Sequence, residues 1–300
     1  MYCPEPYVFS SINLPEGPET QSFSCASIFV MDEPLDAVTT SADPQKLQHI
    51  LFRVDHDVAR ITLNRPEAAN ALSFAALTEI DRSLGTLELN EAVKVVVISG
   101  SAKAFSSGLD IAEHTDENVY QLLEGFHQII RSLMELEAVS ISVVKGMALG
   151  AGCELAASCD FCFAAEGSKL GQPELKAGLF PTVAPVIYPR LVGLHRTYEM
   201  ILTGRIYEAK EAESIGLITR AIAPDQLDAE VEKWVQFLQT FSTPVLRLAR
   251  RAISDSVNLP FDEGLRHVEE VYLNQLVSTE DAQEGVRALR ERRQPVWKHR

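Results

Sequence analysis

Two glutamates and a glycine-rich turn lie close together in the middle of this sequence. A short apolar run, Ile141–Lys145, leads into the turn Gly146–Gly152, and a helix-compatible run, Cys153–Ser158, follows it. At such a turn, free backbone N–H groups and the positive end of a helix dipole point to one place and can hold an anion. Glu154 lies in the first turn of this helix, and Glu174 lies at the start of a later helical segment. The stretch therefore offers an anion-stabilising turn and two carboxylates that could transfer protons.

Both features also have an ordinary structural explanation. Glycines between a strand and a helix often allow close packing, and a glutamate in a first helical turn often interacts with the helix dipole in solvent. Glu154, however, lies among Cys153, Leu155, Ala156 and Ala157. An unpaired carboxylate is unfavourable in such an apolar setting. We therefore treat the stretch as a candidate active site and ask which elements position it.

The surrounding segments alternate between strand and helix patterns. The run VKVVVIS is typical of a parallel strand buried on both faces. Because strands alternate with helices, we predict an α/β fold with a parallel sheet. Hydrophobic periodicity and capping residues predict the elements of this part. They are a hairpin of Ile50–Val54 with Val58–Leu63, a helix over Ser73–Leu89, a strand over Val93–Ser99, a loop over Ser101–Asp110, a helix over Asn118–Leu136 and a strand over Asp160–Ala165.

Helical patterns dominate the sequence beyond Gly178, with glycine and proline between them. The predicted helices are Val183–Leu191, Arg196–Leu202, Ala209–Ser214, Leu227–Thr240, Pro244–Ser256, Phe261–Val277 and Glu280–Arg292.

Composition limits which kinds of partner the protein can bind and indicates its cellular compartment. A net charge of −15 argues against nucleic acid as a partner, because phosphate binding needs a basic surface. No apolar run approaches the length of about 20 residues that spans a bilayer. Cys153, Cys159 and Cys162 lie in apolar segments, as expected of reduced thiols in a cytoplasmic protein. A zinc site at Cys159-x-x-Cys162 lacks a second pair of ligands with suitable spacing, so we predict no metal.

Residues 1–46 differ from the rest of the chain. They are acidic and rich in proline and serine, and Lys46 is the first basic residue. This pattern fits neither a secretory signal nor a mitochondrial transit peptide. We predict a poorly ordered arm, or alternatively an arm that packs on a neighbouring subunit.

Five segments of the sequence resemble one known family. They read NRPEAANAL, KAFSSGLDI, KGMALGAGCELAASCDFCFA, GQPELKAGLFP and LTGRIYEAKEAESIGLI. Together they resemble the crotonase superfamily, the enoyl-CoA hydratases and isomerases, over residues 50 to 300. The resemblance implies a spiral of ββα units with the active site over residues 47–220. It further implies a helical C-terminal trimerisation region over residues 221–300, giving a homotrimer or a hexamer built as a dimer of trimers.

The resemblance also implies catalytic roles. The backbone N–H groups of Leu109 and Ala151 match the family's oxyanion hole, which holds the thioester oxygen of an acyl-CoA. Glu154 matches the base that activates water, and Glu174 matches the group that supplies the α-proton. The implied reaction is hydration of the 2,3 double bond of an enoyl-CoA, or the reverse dehydration. No cofactor is expected, since coenzyme A is part of the substrate.

Substrate contacts are implied by the same matched segments. Arg65 and Lys103 could pair with the phosphates of coenzyme A, although both could equally be solvated surface charges. The candidate substrate-binding residues are Arg65, Ala68, Lys103, Phe105, Gly108, Asp110, Ile111, Gly150 and Thr182.

One departure from the family pattern affects the predicted pocket. Thr182 stands where hydratases often carry a glycine whose N–H helps to hold the water, and the segment reads FPTVAP. This segment is similar to relatives that act on cyclic dienoyl-CoA thioesters. Hydration of a cyclic dienoyl-CoA, enoyl-CoA isomerisation and a non-catalytic acyl-CoA-binding protein therefore remain alternatives. His114 could line the acyl pocket or lie at the surface, and His127 lies within the next helix.

Overall fold

The structure, a computed structural model, describes residues 47–100 and 103–300, so the predicted arm over residues 1–46 lies outside the described part. The strands of the described part are β1 (Ile50–Asp55), β2 (Val58–Leu63), β3 (Val95–Gly100), β4 (Ala104–Ser106), β5 (Val139–Val144), β6 (Met147–Leu149), β7 (Phe161–Ala165), β8 (Lys169–Gly171), β9 (Ile206–Glu208) and β10 (Arg220–Ile222). Its α-helices are α1 (Phe74–Glu88), α2 (Val119–Glu135), α3 (Ala151–Ala157), α4 (Ala184–Leu191), α5 (Leu194–Thr203), α6 (Ala209–Ser214), α7 (Leu227–Gln239), α8 (Thr243–Ser256), α9 (Phe261–Val271) and α10 (Glu280–Glu291).

A six-stranded sheet forms the centre of the fold, in the order β1-β2-β3-β5-β7-β10. Its first two strands form the predicted hairpin and pair antiparallel, and every other neighbouring pair is parallel. Ile61 lies opposite Ile98, and Ile98 lies opposite Ser142 in the next strand. All six residues of β5 are buried, as expected of a parallel strand covered on both faces. The predicted α/β class is confirmed.

A second, smaller sheet has the order β4-β6-β8-β9. Each of β3, β5 and β7 is followed by one of its strands and then by a helix, so the chain repeats a β-β-α unit three times. This arrangement confirms the predicted spiral of ββα units. The loop predicted over Ser101–Asp110 is partly wrong, because Ala104–Ser106 pairs with β6 and is buried. A three-residue strand is too short to produce a readable alternation pattern.

Apolar side chains pack on both faces of the large sheet. The larger cluster joins one face to α1 and α2 through Leu77, Ile80, Phe126 and Ile129, all nearly inaccessible to solvent. The other face packs its valines against α7, where Trp234 also contacts Phe161 and Phe163 at ring distances of 5.2 and 5.5 Å. Burial of apolar surface of this kind is the main stabilising contribution to the fold.

The C-terminal part of the chain is helical, as predicted, with two differences. The predicted helix over Phe261–Val277 ends at Val271 and continues as a π-helical turn over Tyr272–Leu276. The predicted boundary after residue 220 falls inside β10, which pairs with β7 as the last strand of the large sheet. None of the helices in the described part is both long and apolar enough to cross a membrane.

Candidate active site

Glu154 is fixed by the start of a neighbouring helix. Its side chain is only 2% exposed, and its Oε1 accepts hydrogen bonds from the backbone N–H groups of Val183 (2.8 Å) and Ala184 (2.6 Å). These groups begin α4, whose dipole favours a negative charge there, and Pro185 follows them without a free N–H. Burial raises the pKa of Glu154 to about 7 although the two N–H groups lower it, and the charge of Glu174 raises it further.

Glu174 lies directly over the glycine turn. It begins a 3₁₀ turn over Glu174–Ala177 and is partly buried, and this burial raises its pKa. A side-chain carbon added to Gly150 would lie 2.6 Å from Glu174 Oε1, and Gly150 has φ +53° and ψ −131°. Only glycine adopts this backbone conformation without strain, and only glycine leaves room for the carboxylate. The structure therefore places Glu174 beside Gly150, the residue that immediately precedes α3.

A fully buried glutamine connects Glu174 to α4. Matching of donors and acceptors orients the Gln172 amide with its nitrogen 3.0 Å from Glu174 Oε1 and its oxygen 2.5 Å from the Tyr188 hydroxyl, which donates to it. Tyr188 lies on α4 and is itself buried. The N-terminus of α4 thus holds Glu154, and a side chain of the same helix holds the partner of Glu174.

The two predicted oxyanion donors lie next to each other. A side-chain carbon added to Gly108 would be 3.5 Å from the Ala151 nitrogen, so the N–H of the following Leu109 lies near that of Ala151. Among the described residues, neither N–H donates a hydrogen bond to another group of the chain. Ala151 does not have a positive φ, as its side chain predicts. Two free donors that lie this close together can stabilise a developing oxyanion.

A short bridge and an ion pair hold the Leu109 segment in place. The Leu72 N–H donates to the Gly108 carbonyl (2.8 Å), and the Asp110 N–H donates to the Leu72 carbonyl (3.1 Å). The Arg65 guanidinium donates from Nη1 to Asp110 Oδ2 (3.1 Å) and to the Ala71 carbonyl (2.7 Å). Arg65, predicted as a phosphate partner, therefore uses its guanidinium to hold the oxyanion segment through Asp110.

Sequence reasoning missed two residues that support this site. Asn70 is buried; its Oδ1 accepts from the Arg65 N–H, and its Nδ2 donates to the Ala104 carbonyl, both at 2.8 Å. It thereby joins the Arg65 turn to β4. Gln172 was missed as well, although its position two residues before Glu174 was a usable signal. Asn70 had no comparable signal, because a single polar residue in a turn belongs to no periodic pattern.

The other predicted contact residues have varied surroundings. Ala68 ends a 3₁₀ turn and is half-buried, whereas Lys103 and Ile111 are exposed. The Phe105 side chain is buried in the larger core cluster, so only its backbone is available to a ligand. Thr182 is half-buried, and its Oγ1 lies 2.7 Å from His127 Nε2. Within residues 47–100 and 103–300, no group of three or more metal-ligating side chains is present.

Comparisons with known proteins agree with the fold and identify the family. The family model described as enoyl-CoA hydratase/isomerase matches residues 53–300. The chain is 37% identical over 257 residues to a protein of Rhizobium meliloti named "Probable enoyl-CoA hydratase", covering 84% of this chain and 98% of that protein. It is 31% identical over 256 residues to the short-chain-enoyl-CoA hydratase of Clostridium acetobutylicum, covering 83% and 97%.

A solved structure supports the same assignment. The crystal structure of an enoyl-CoA hydratase from Bacillus anthracis superposes with a TM-score of 0.80 at 30% identity and covers 84% of this chain and 100% of that one. The structural match and the sequence match to the Rhizobium meliloti protein each cover 84% of the chain. The chain belongs to the enoyl-CoA hydratase/isomerase family of the crotonase superfamily.

Proposed function

We propose that the protein is an enoyl-CoA hydratase, a carbon–oxygen lyase that adds water across the 2,3 double bond of an acyl-CoA thioester or catalyses the reverse dehydration. One observation carries the proposal. Two carboxylates with raised pKa values, Glu154 and Glu174, converge beside the free N–H groups of Leu109 and Ala151. The names of the relatives support the same activity.

The geometry suggests how the four groups share the reaction. The thioester oxygen accepts hydrogen bonds from the Leu109 and Ala151 N–H groups, which stabilise the negative charge that forms when water attacks C3. Ionised Glu154 takes a proton from the attacking water, and protonated Glu174 gives a proton to C2. One water is thereby added, and the proton returns from Glu154 to Glu174 directly or through solvent. No electron is transferred, so the proposed reaction requires no redox cofactor.

The surroundings of both carboxyl groups alter their readiness to ionise. Burial raises the pKa of both carboxyl groups, and at Glu154 it outweighs the two N–H groups that favour the carboxylate. A base with a pKa of about 7 is half ionised at neutral pH and still accepts a proton strongly. Both forms of Glu154 are therefore populated near neutral pH, and the assignment of Glu154 as the base and Glu174 as the acid rests on the family resemblance.

Turnover of crotonyl-CoA tests the proposal. It is measured as the loss of absorbance of the conjugated thioester. We expect hydration by the wild type and a loss of about 10²–10⁴-fold in kcat for Glu154→Gln and Glu174→Gln. No hydration of straight-chain, branched or cyclic enoyl-CoA by a folded wild type would refute the hydratase assignment. Movement of the double bond without addition of water would instead identify an isomerase, and tight binding without turnover a non-catalytic protein.

We further propose that the protein acts as a homotrimer or as a hexamer of paired trimers in the cytoplasm. Large apolar side chains are exposed on the helical part of the chain, which a second copy could cover: Val186, Leu194, Tyr198, Leu202, Ile253, Val257, Phe261, Leu265 and Leu273. The buried free thiols of Cys153, Cys159 and Cys162 suit a reducing compartment. Light scattering coupled to gel filtration measures the oligomeric state, and a monomer would refute this proposal.

A further inference from the structure

A histidine outside the catalytic pair contacts the segment that holds Glu154. His127 lies on α2, half-buried next to the fully buried Phe126, and its Nε2 is 2.7 Å from the hydroxyl of Thr182. Thr182 immediately precedes Val183 and Ala184, whose N–H groups donate to Glu154. The contact therefore connects a core helix to the two backbone donors of the base.

The surroundings of His127 favour its neutral form. Burial lowers its pKa, and the positive charge of Arg131 lowers it further, while Glu124 raises it. A neutral imidazole has one donor and one acceptor nitrogen, so Nε2 can pair with a hydroxyl in either tautomer. The contact with Thr182 thus needs no charge on the ring.

We propose that His127 is a positioning residue for Glu154 that acts through Thr182. Its hydrogen bond restrains Pro181–Ala184 against α2, so that both N–H groups stay within hydrogen-bond reach of the carboxylate. This inference rests on the proposed function for its catalytic consequence. Its structural part, the coupling of His127 to Glu154, can be measured without turnover.

The physical reason is the directionality of the hydrogen bonds to Glu154. An N–H···O bond weakens steeply as its geometry departs from linearity, and these bonds stabilise the ionised form of the carboxyl. Burial is the largest effect on Glu154 and raises its pKa, and the charge of Glu174 raises it further. Thr182→Val changes neither the Glu174 side chain nor the size of the residue at position 182, so we expect an altered Glu154 titration to report on the Val183 and Ala184 donors.

The test is a pH titration of the Glu154 carboxyl carbon by ¹³C NMR, with the resonance assigned by its loss in Glu154→Gln. Thr182→Val removes the hydroxyl and keeps the shape, and His127→Leu removes the ring. We expect each variant to raise the pKa of Glu154 by about 0.5–1 unit, since a hydrogen bond contributes about that much net. The double variant should shift it no further, because both changes remove one interaction.

Two further variants separate positioning from general damage. His127→Gln keeps a hydrogen-bonding atom near the position of Nε2 and should restore most of the wild-type titration. Thr86→Val removes a hydroxyl that donates to the Arg82 carbonyl on the exposed side of α1, so it should leave the titration unchanged. An unshifted pKa in Thr182→Val, or additive shifts in the double variant, would overturn the inference.

Kinetics then connects the inference to activity. At pH 6, kcat/KM of Thr182→Val on crotonyl-CoA should fall about 3- to 10-fold relative to the wild type, and less at pH 9, where Glu154 is ionised in both. A wild type without turnover would refute the proposed function and leave the NMR result to decide the coupling. An altered titration with unchanged pH-dependence of kcat/KM would refute the catalytic role of the contact.

Discussion

Gly150→Ala should disable the site through a single methyl group. The added carbon would lie 2.6 Å from Glu174 Oε1 and 3.3 Å from its carboxyl carbon. Real side-chain carbons essentially never approach another atom closer than 3.0 Å, and ordinary contacts begin near 3.4 Å. The carboxylate of Glu174 must therefore move by about 0.4–0.8 Å. It would also strain against Gln172, which donates to Oε1.

Two effects of Gly150→Ala can be separated by size. A non-glycine residue at φ +53°, ψ −131° is strained by about 1–3 kcal/mol, which lowers the free energy of unfolding. Misplacement of a reacting group by about 1 Å lowers the rate about 100-fold. A displacement of half that distance or more should therefore reduce kcat/KM by about 10- to 100-fold, with the loss mainly in kcat.

Gly193→Ala is the matched control for this experiment. Gly193 also precedes the first residue of a helix and also has a positive φ, +78°, but nothing lies within 4 Å of its added carbon. The control should lose comparable stability in urea denaturation and keep its activity on crotonyl-CoA. If Gly150→Ala keeps kcat/KM within about threefold of Gly193→Ala, Glu174 is not confined by Gly150 and the reasoning is wrong.

Three other predictions concern charged groups. The raised pKa of Glu154 means that the folded protein binds a proton more tightly than the unfolded chain between pH 4.5 and about 7, so the free energy of unfolding should fall by about 2–3 kcal/mol as pH rises through that window. The test is urea denaturation of the wild type and Glu154→Gln at pH 5 and pH 8. The decrease in the free energy of unfolding between the two pH values should be smaller in Glu154→Gln by about 2–3 kcal/mol. The same decrease in both proteins would contradict the prediction. Arg65→Met should lower kcat about 10-fold because the Asp110 segment loses its partner, whereas a change confined to KM would favour a contact with a coenzyme A phosphate. Arg250→Met should lower the free energy of unfolding by about 3–5 kcal/mol, because the buried guanidinium pairs with a carboxylate and donates to several main-chain carbonyls. Arg196→Met, which removes an exposed ion pair, should change it by less than about 1 kcal/mol; equal losses would show that burial does not matter.

The strands and helices of the core were predictable because their signals are local. Val93–Ser99 and the N-cap Ser73 produced the right elements, with Ser73 accepting from the Ala76 N–H as a cap should. The short strands of the second sheet were not predictable individually. Ala104–Ser106 has three residues, and its pairing with β6 depends on a partner more than 40 positions away. Only the family resemblance indicated two strands in each repeated unit.

The candidate residues were found from the sequence, but their partners were not. Glu154 was identified by its apolar neighbours, and the structure adds that Val183 and Ala184 supply its hydrogen bonds. The sequence offers Arg65 as a phosphate partner or as a solvated surface charge, and the structure shows it paired with Asp110. A charged residue and its partner leave no signature in sequence when 45 positions separate them. Such pairings depend on how the turns bring distant segments together.

The sequence by itself determined the fold class, the family, the two glutamates and the glycine turn. These are properties of local residue patterns, in which hydrophobic period, turn glycines and motif spacing are all readable. Only the tertiary structure decided that α4 holds Glu154 by its N-terminus and reaches Glu174 through Tyr188 and Gln172. The reason is physical: a hydrogen bond depends on distances of a few tenths of an ångström, and packing of the whole core sets those distances.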